Sequence, residues 1–187
     1  MGGDQTPRIP PGSRRQIGLV NAGIARLSGL ATGGRPPHIF TTLARHRRLF
    51  RRWFWFAGAL MPRGRLPRED TELVILRVAH NTGSEYEWGH HVRIGRKAGL
   101  SREEIARVRD GAAAPGWSER QAMLLAATDE LHRDGEIGDE LWDRLAAELD
   151  EVRLIELCML VGHYEMLAMT LNTLRVAPDF ELEEWGR

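Results

Sequence analysis

Serine-initiated capping boxes are the feature that most constrains the fold of this 187-residue chain. The pattern Ser-x-x-Glu or Ser-x-x-Gln begins at Ser84, Ser101 and Ser118. In each case the serine hydroxyl and the side chain three residues later can pair with free backbone N–H groups of a new helix. Gly99 and Gly135 follow at distances that suit helix ends. The pattern predicts helices that begin near 84, 101 and 118.

The remaining sequence also has helical rather than strand periodicity, because no stretch alternates apolar and polar residues for long. Together these signals predict an all-α fold with helical segments at 16–30, 38–61, 67–82, 84–98, 101–110, 118–133, 139–149 and 151–174. The segment that follows Pro67 is almost wholly apolar and should be buried on most sides. We predict one helical domain at 16–176, with an N-terminal extension at 1–15 and a C-terminal tail at 177–187.

Charge and hydropathy limit the classes of partner. Lys+Arg and Asp+Glu both number 26, so the balanced charge gives no electrostatic reason to expect nucleic acid or an anionic membrane. The sequence has no signal-peptide core at its start, and charged residues or histidines interrupt its apolar runs before a membrane span is reached. We therefore predict a cytoplasmic protein whose partner is a small, neutral or weakly acidic molecule.

A single cysteine limits the thiol chemistry that the chain can carry out. Cys158 is the only cysteine, which excludes an intrachain disulfide, a Cys-x-x-Cys couple and a multi-cysteine metal cage. It lies in an apolar segment, where a small buried side chain is the expected role.

Two motifs resemble the carboxymuconolactone decarboxylase and alkylhydroperoxidase D family. The first is Glu72-Leu-Val-Ile-Leu-Arg-Val-Ala, and the second is Gly83-Ser-Glu-Tyr-Glu-Trp-Gly-His-His91. A later segment, Gly162-His-Tyr-Glu-Met-Leu-Ala-Met-Thr-Leu-Asn172, resembles the second half of family members. The resemblance covers most of residues 36–178 and implies an alkylhydroperoxidase D-like helical bundle.

The resemblance also implies where a site would lie. In the peroxidase branch a glutamate, a Cys-x-x-Cys motif and a histidine form the site, and these fall here on Glu72, on Ser84 and Glu87, and on His91. Serine and carboxylate cannot replace a peroxide-attacking thiolate and its resolving thiol. Peroxidase chemistry of that kind is therefore not expected from this chain.

The residues that remain can carry acid–base chemistry. Glu87 and His91 are four residues apart on one helix face and are predicted to share a proton near neutral pH. The helix N-terminus is expected to lower the pKa of Glu87, which would add charge at the pocket mouth. Glu72 lies among apolar residues and needs a partner, which the family geometry would make His91. We predict His91, Glu72 and Glu87 as the catalytic residues, with no cofactor.

Purely structural roles for these residues remain open. Glu87 could serve only in a capping box, Glu72 could pair with Arg68 one turn earlier, and His91 could be a surface companion of Glu87. His90, about 100° around the helix from His91, is expected to face solvent or an interface. A metal site made of Glu87, His91 and the distant His163 is considered and not predicted.

Three functions are consistent with the sequence. The preferred one is a cofactor-independent decarboxylase or isomerase acting on a small organic acid or lactone. The alternatives are a peroxidase relative that has lost its thiol pair and a non-catalytic helical small-molecule binder. The Leu- and Met-rich helices carry more apolar surface than one helical layer buries, and the resemblance implies a trimer or hexamer. We predict a homo-oligomer, with a dimer left open.

Overall fold

The computed structural model describes residues 6–32 and 34–179, and within these ranges it contains α-helices, one 3-10 turn and no strand. The prediction of an all-α fold is confirmed. Parts of the predicted extension and tail, residues 1–5 and 180–187, lie outside the described residues. The helices are α1 Arg14–Ile17, α2 Leu19–Thr32, α3 His38–Leu43, α4 Arg47–Leu60, α5 Arg68–Asn81, α6 Glu85–Ala98, α7 Arg102–Arg107, α8 Glu119–Asp134, α9 Asp139–Glu148 and α10 Glu151–Leu174.

Two of the three predicted capping boxes are present. The Ser101 hydroxyl accepts from the Glu104 amide at 3.1 Å, and the Glu104 carboxylate accepts from the Ser101 amide at 2.8 Å. Ser118 and Gln121 make the same pair of hydrogen bonds at the start of α8. Each serine has an extended backbone, which aims its hydroxyl at the first turn of the helix.

The third capping box, predicted at Ser84 and Glu87, is absent. Ser84 precedes α6, but its hydroxyl makes no capping hydrogen bond. Its ψ of 89° differs from the 166° of Ser101 and the 158° of Ser118, so its hydroxyl is not aimed at the helix start. Ser84 and Glu87 are both buried, so they do not form the solvent-exposed capping box that the sequence pattern predicted.

The segment from 38 to 61 forms two helices, because the chain turns at residues 44–46 between α3 and α4. His46 caps α4 by accepting from the Leu49 amide. Phe40 from α3 packs against Phe50, Trp53 and Phe54 of α4, with ring centroids 5.8 to 6.2 Å apart. This aromatic cluster holds α3 and α4 together and forms part of one wall of a cavity.

Helix α5 lies at the centre of the fold, as the apolar run after Pro67 predicted. It packs against α6, α8 and α10. Its residues Leu73, Val74, Ile75, Leu76 and Val78 have no solvent-exposed surface. Any polar side chain on α5 must therefore find its partner inside the protein.

Helix α10 combines a buried face with an exposed apolar stripe. By length and composition alone it could cross a membrane, but more than half of its most apolar window is buried inside the protein. It packs against α5, α8 and α4. Exposed apolar side chains recur on the other face at spacings of three, four and seven residues, at Val152, Ile155, Met159, Met166 and Met169.

A partly buried ion pair ties α5 to α8. The Arg77 guanidinium binds the Asp129 carboxylate through two hydrogen bonds, of 2.6 and 2.9 Å. The same guanidinium donates to the backbone oxygen of Val108 at 2.7 Å, and the Asn81 amide donates to Asp129 at 2.8 Å. Removing one partner would leave the others without their hydrogen bonds in a shielded place.

We expect Arg77→Gln to lower the free energy of unfolding by about 2–3 kcal/mol, because charge-assisted hydrogen bonds between α5 and α8 are lost. Urea unfolding followed by circular dichroism measures the change. Arg144→Gln is the matched control: Arg144 lies 3.4 Å from Glu119 in an exposed ion pair, and its loss should cost less than about 0.5 kcal/mol. Equal costs for the two variants would contradict this account of the α5–α8 contact.

Candidate active site

Glu72 of α5 and His91 of α6 meet inside the protein. The distance from Glu72 Oε2 to His91 Nδ1 is 2.6 Å, and the two residues are 0% and 6% exposed. Gly95, one turn after His91, lies on the side of α6 that faces Glu72. A side chain there would begin 3.6 Å from Glu72 Cβ and 3.1 Å from Leu100 Cδ1. The structure thus brings together the two residues that the family resemblance paired.

Arg68 adds a second charge beside Glu72. Its Nη2 lies 2.8 Å from Glu72 Oε1, so the two side chains form an ion pair across one helical turn. The two atoms do not meet hydrogen-bond geometry. The two partners that the sequence left open for Glu72 are therefore both present. Because one Glu72 oxygen faces Nδ1, the imidazole carries its N–H there and keeps Nε2 for another partner.

A cavity of about 370 Å³ lies between α3 and α4 on one side and α6 and α10 on the other. His91 and Glu87 line it, whereas Glu72 is not among the lining residues and lies behind His91. Its wall includes the aromatic rings of Phe40, Trp53, Phe54, Tyr86 and Tyr164. The Tyr164 ring meets the His91 ring edge-on, with centroids 5.1 Å apart.

Glu87 differs from the prediction in charge state and in surroundings. It is 2% exposed, and neither carboxyl oxygen has a hydrogen-bond partner. Burial, reinforced by the nearby Glu165 carboxylate, raises the pKa of Glu87 to about 8. The Ser84 hydroxyl lies close enough to oppose this rise in pKa but does not meet hydrogen-bond geometry. The expected lowering by the helix N-terminus was wrong, because desolvation outweighs the helix dipole at a buried position. Glu87 is therefore mostly a neutral acid at pH 7, with no hydrogen bond to His91.

His163 of α10, which the sequence placed far from the site, lines the same cavity. It is 5% exposed and stacks on Trp53 at a centroid distance of 6.1 Å. Burial lowers the pKa of His163 to about 4, so its imidazole is neutral at pH 7. His163 Nδ1 and Trp53 Nε1 are both buried without a hydrogen-bond partner.

His90 is not the solvent-facing residue that its helical position suggested. Its Nε2 lies 2.8 Å from Asp179 Oδ2, and its ring packs on Tyr86 at a centroid distance of 4.6 Å. The Tyr86 hydroxyl donates to the same carboxylate and accepts from the Ile39 amide at 3.0 Å. Sequence reasoning missed this cluster because Asp179 lies in the segment read as a tail.

Asp179 also reaches the start of α3. Its Oδ1 accepts from the His38 amide at 2.9 Å, and the Ala177 backbone oxygen lies 2.9 Å from His38 Nδ1. Although burial opposes it, the hydrogen bonds from His90 and Tyr86 hold the pKa of Asp179 below its ordinary value. Burial and the Asp179 carboxylate raise the pKa of Tyr86. The first residues after α10 therefore fix one wall of the cavity.

Within residues 6–32 and 34–179, no group of three histidine, cysteine or acidic side chains is placed to hold a metal ion. The absence of a metal and of a cofactor stays a prediction.

Sequence comparison identifies one family. Residues 47–130 match the carboxymuconolactone decarboxylase family. This segment contains Glu72, Glu87 and His91 but ends before α10 begins. No curated protein matches the chain.

Solved structures share the fold at low sequence identity. An alkylhydroperoxidase AhpD core protein from Ralstonia eutropha JMP134, described as an uncharacterized peroxidase-related protein, is 18% identical with a TM-score of 0.84, over 97% of this chain and 96% of that one. A peroxidase-related protein from Silicibacter sp. TM1040 is 14% identical with a TM-score of 0.82, over 99% and 100%. The debrominase Bmp8, in complex with 2,3,4-tribromopyrrole, is 16% identical with a TM-score of 0.76, over 96% and 93%.

These matches confirm the resemblance drawn from the two motifs. The chain is therefore similar to the carboxymuconolactone decarboxylase family over residues 47–130, it has an alkylhydroperoxidase D-like helical fold, and it lacks the Cys-x-x-Cys pair of the peroxidase branch.

Proposed function

We propose that the protein is a cofactor-independent acid–base enzyme of the decarboxylase or isomerase type, acting on a small organic acid or lactone. The single observation that best supports this proposal is the 2.6 Å contact between Glu72 and His91, because His91 lines the cavity and Glu72 holds its ring from behind. An imidazole whose Nδ1 is held by a carboxylate is a recurrent form of general base, because its tautomer and orientation are fixed.

In this proposal His91 Nε2 removes a proton from the carbon next to the substrate carbonyl. The electron pair of that C–H bond moves to the carbonyl oxygen and gives an enolate, while His91 becomes an imidazolium. Glu72 stabilises the imidazolium through Nδ1–H, and Arg68 holds Glu72 in place. In an isomerisation the imidazolium then returns the proton at another carbon of the enolate. In a decarboxylation His91 takes its proton from the substrate carboxyl group instead, the bond between the carboxyl carbon and its neighbour breaks, and carbon dioxide leaves. The electron pair of that bond moves to the carbonyl oxygen, and the imidazolium protonates the resulting enolate at carbon.

The protonated state of Glu87 suits this chemistry. A carboxylate beside the cavity would repel the negative charge that develops on an enolate, whereas a neutral acid does not. Burial, which raises the pKa of Glu87 to about 8, therefore removes an unfavourable charge at neutral pH.

The peroxidase alternative has less support. Cys158 is half-buried, it does not line the cavity, and burial raises the pKa of its thiol, which disfavours the reactive thiolate. The peroxidase-related neighbours are under 25% identical and show the fold alone. The apolar cavity itself also suits a non-catalytic small-molecule binder, which the activity test below separates from an enzyme.

We also infer that the protein is a cytoplasmic homo-oligomer, a trimer or hexamer, with a dimer still open. The exposed stripe of Val152, Ile155, Met159, Met166 and Met169 on α10 supports association, because its spacing forms one continuous apolar seam. Light scattering of the purified protein measures the number of subunits.

We expect His91→Asn to slow proton exchange by about 100-fold or more, since a positioned acid–base group contributes about 100- to 10,000-fold. The measurement is deuterium incorporation next to the carbonyl of a panel of lactones and small organic acids in D₂O, followed by proton NMR. Glu72→Gln should also slow exchange, because the amide leaves the imidazole without its charged partner.

His46→Asn is the control for loss of a histidine. His46 is an exposed N-cap residue outside the cavity, and asparagine can still accept from the first turn of α4. Exchange at the native rate in His91→Asn, or no exchange with any compound of the panel, would contradict the proposed function.

We expect Glu87→Gln to become progressively more stable than the native protein as pH rises from about 5 to 8. The folded pKa of Glu87 is about 8, against an ordinary 4.5. Between these values the folded state keeps a proton that the unfolded state releases, so the native free energy of unfolding falls with rising pH. The difference between the variant and the native protein should grow by about 3 kcal/mol over this window.

Urea unfolding at pH 5, 6.5 and 8 measures this difference. Glu148→Gln is the control, because Glu148 is an exposed glutamate at the end of α9. A Glu87→Gln advantage that stays constant with pH would show that the buried carboxyl does not titrate in this window.

A further inference from the structure

Polar groups around the cavity lack partners inside the protein. Trp53 Nε1, His163 Nδ1 and both carboxyl oxygens of Glu87 are buried, and none has a hydrogen-bond partner. All three residues line the cavity. An unpaired buried polar group is unfavourable, so several residues with such groups around one cavity indicate a place for a ligand's polar atoms.

The unpaired groups can supply up to three donors. The indole nitrogen of Trp53 can only donate, a neutral imidazole can place its one N–H on Nδ1, and a protonated carboxyl has one O–H and one acceptor oxygen. Burial keeps His163 neutral and Glu87 protonated at pH 7, because it lowers the pKa of the first to about 4 and raises that of the second to about 8. A complementary ligand therefore presents an acceptor, such as a carbonyl oxygen.

The cavity interior provides little to balance an anion. Among the described residues that line it, Arg63 is the one arginine, and no lysine takes part. Arg63 is exposed, its Nε donates to the Gly58 backbone oxygen, and its guanidinium lies 5.9 Å from the centre of the Trp55 ring. A carboxylate deep in the cavity would lose its hydration without gaining a cation beside it.

The aromatic wall favours a flat, ring-shaped body. Phe40, Phe54 and Tyr164 line the space next to the stacked rings of Trp53 and His163. A volume of about 370 Å³ is suited to a compact small molecule.

We propose that the cavity binds an uncharged ring compound with a carbonyl group, and that Trp53 and His163 recognise the carbonyl oxygen by hydrogen bonds. This inference rests on the proposed acid–base function and narrows it to the isomerase type acting on an uncharged lactone, because such a compound has no carboxylate to lose as carbon dioxide. Trp53 and His163 are the residues that determine specificity, whereas His91 acts on the C–H bond.

Three probes with one carbon skeleton test the inference by isothermal titration calorimetry. Phthalide is an uncharged ring with a carbonyl, phthalan is the same ring system without the carbonyl, and 2-(hydroxymethyl)benzoate is the ring-opened anion. We expect phthalide to bind about 10-fold or more tightly than either of the others, as a net gain of one or two hydrogen bonds provides. Equal or tighter binding of the anion, or of phthalan, would overturn the inference.

Variants then test the two residues. Trp53→Phe and His163→Phe each keep an aromatic ring and remove the N–H group. Each should weaken phthalide binding about 5- to 10-fold and leave phthalan binding unchanged, which also shows that the cavity is intact. Trp55→Phe is the matched control, because Trp55 is an exposed tryptophan of the same helix that does not line the cavity. Unaltered phthalide affinity in both cavity variants, or equal weakening of phthalide and phthalan, would refute the assignment.

His91→Asn separates this inference from the proposed function. Its phthalide affinity should stay within about 2-fold of the native value, since His91 acts on the C–H bond rather than on the carbonyl. Selective phthalide binding without exchange activity in the native protein would leave the recognition site standing and remove the acid–base function. Exchange activity without selectivity for phthalide would leave the acid–base function standing and remove the recognition site.

Discussion

A completely buried carboxylate governs this structure. Glu72 lies in the middle of α5, where its neighbours along the chain are apolar, so its charge must be balanced inside the protein. Arg68 and His91 supply that balance from the preceding turn and from α6. The contact between Glu72 and His91 joins α5 to α6. It also fixes the ring of His91 at the cavity wall, so one electrostatic requirement sets both the packing and the site.

Local sequence rules predicted the fold well where the chain meets solvent. The capping boxes at Ser101 and Ser118 formed because both serines are free to adopt the extended backbone that capping needs. The same pattern failed at Ser84, and the expected charge of Glu87 was wrong, because both residues are buried. Burial depends on the whole fold, so a motif of four consecutive residues cannot predict it.

The family resemblance predicted the meeting of Glu72 and His91, but it did not predict the rest of the cavity. His90 and Asp179 are 89 residues apart in sequence, and Trp53 stacks on His163 across an even longer separation. Neither pair shows a periodicity or a motif that joins its members. Such pairs follow only from the way α3, α4, α6 and α10 pack, so single-sequence reasoning had no signal for them.

The cavity is assembled from residues inside and outside the segment that matches the family. The part that matches the family, residues 47–130, contains Glu72, Glu87 and His91. Beside them, α10 contributes His163 and Tyr164 to the wall, and Asp179 after α10 binds Tyr86 and His90 of α6. The matching segment therefore contains the proton-transfer groups but not the part of the wall that α10 provides. A change at His163 can alter what the cavity accepts without replacing Glu72 or His91, so part of the selectivity is encoded outside that segment.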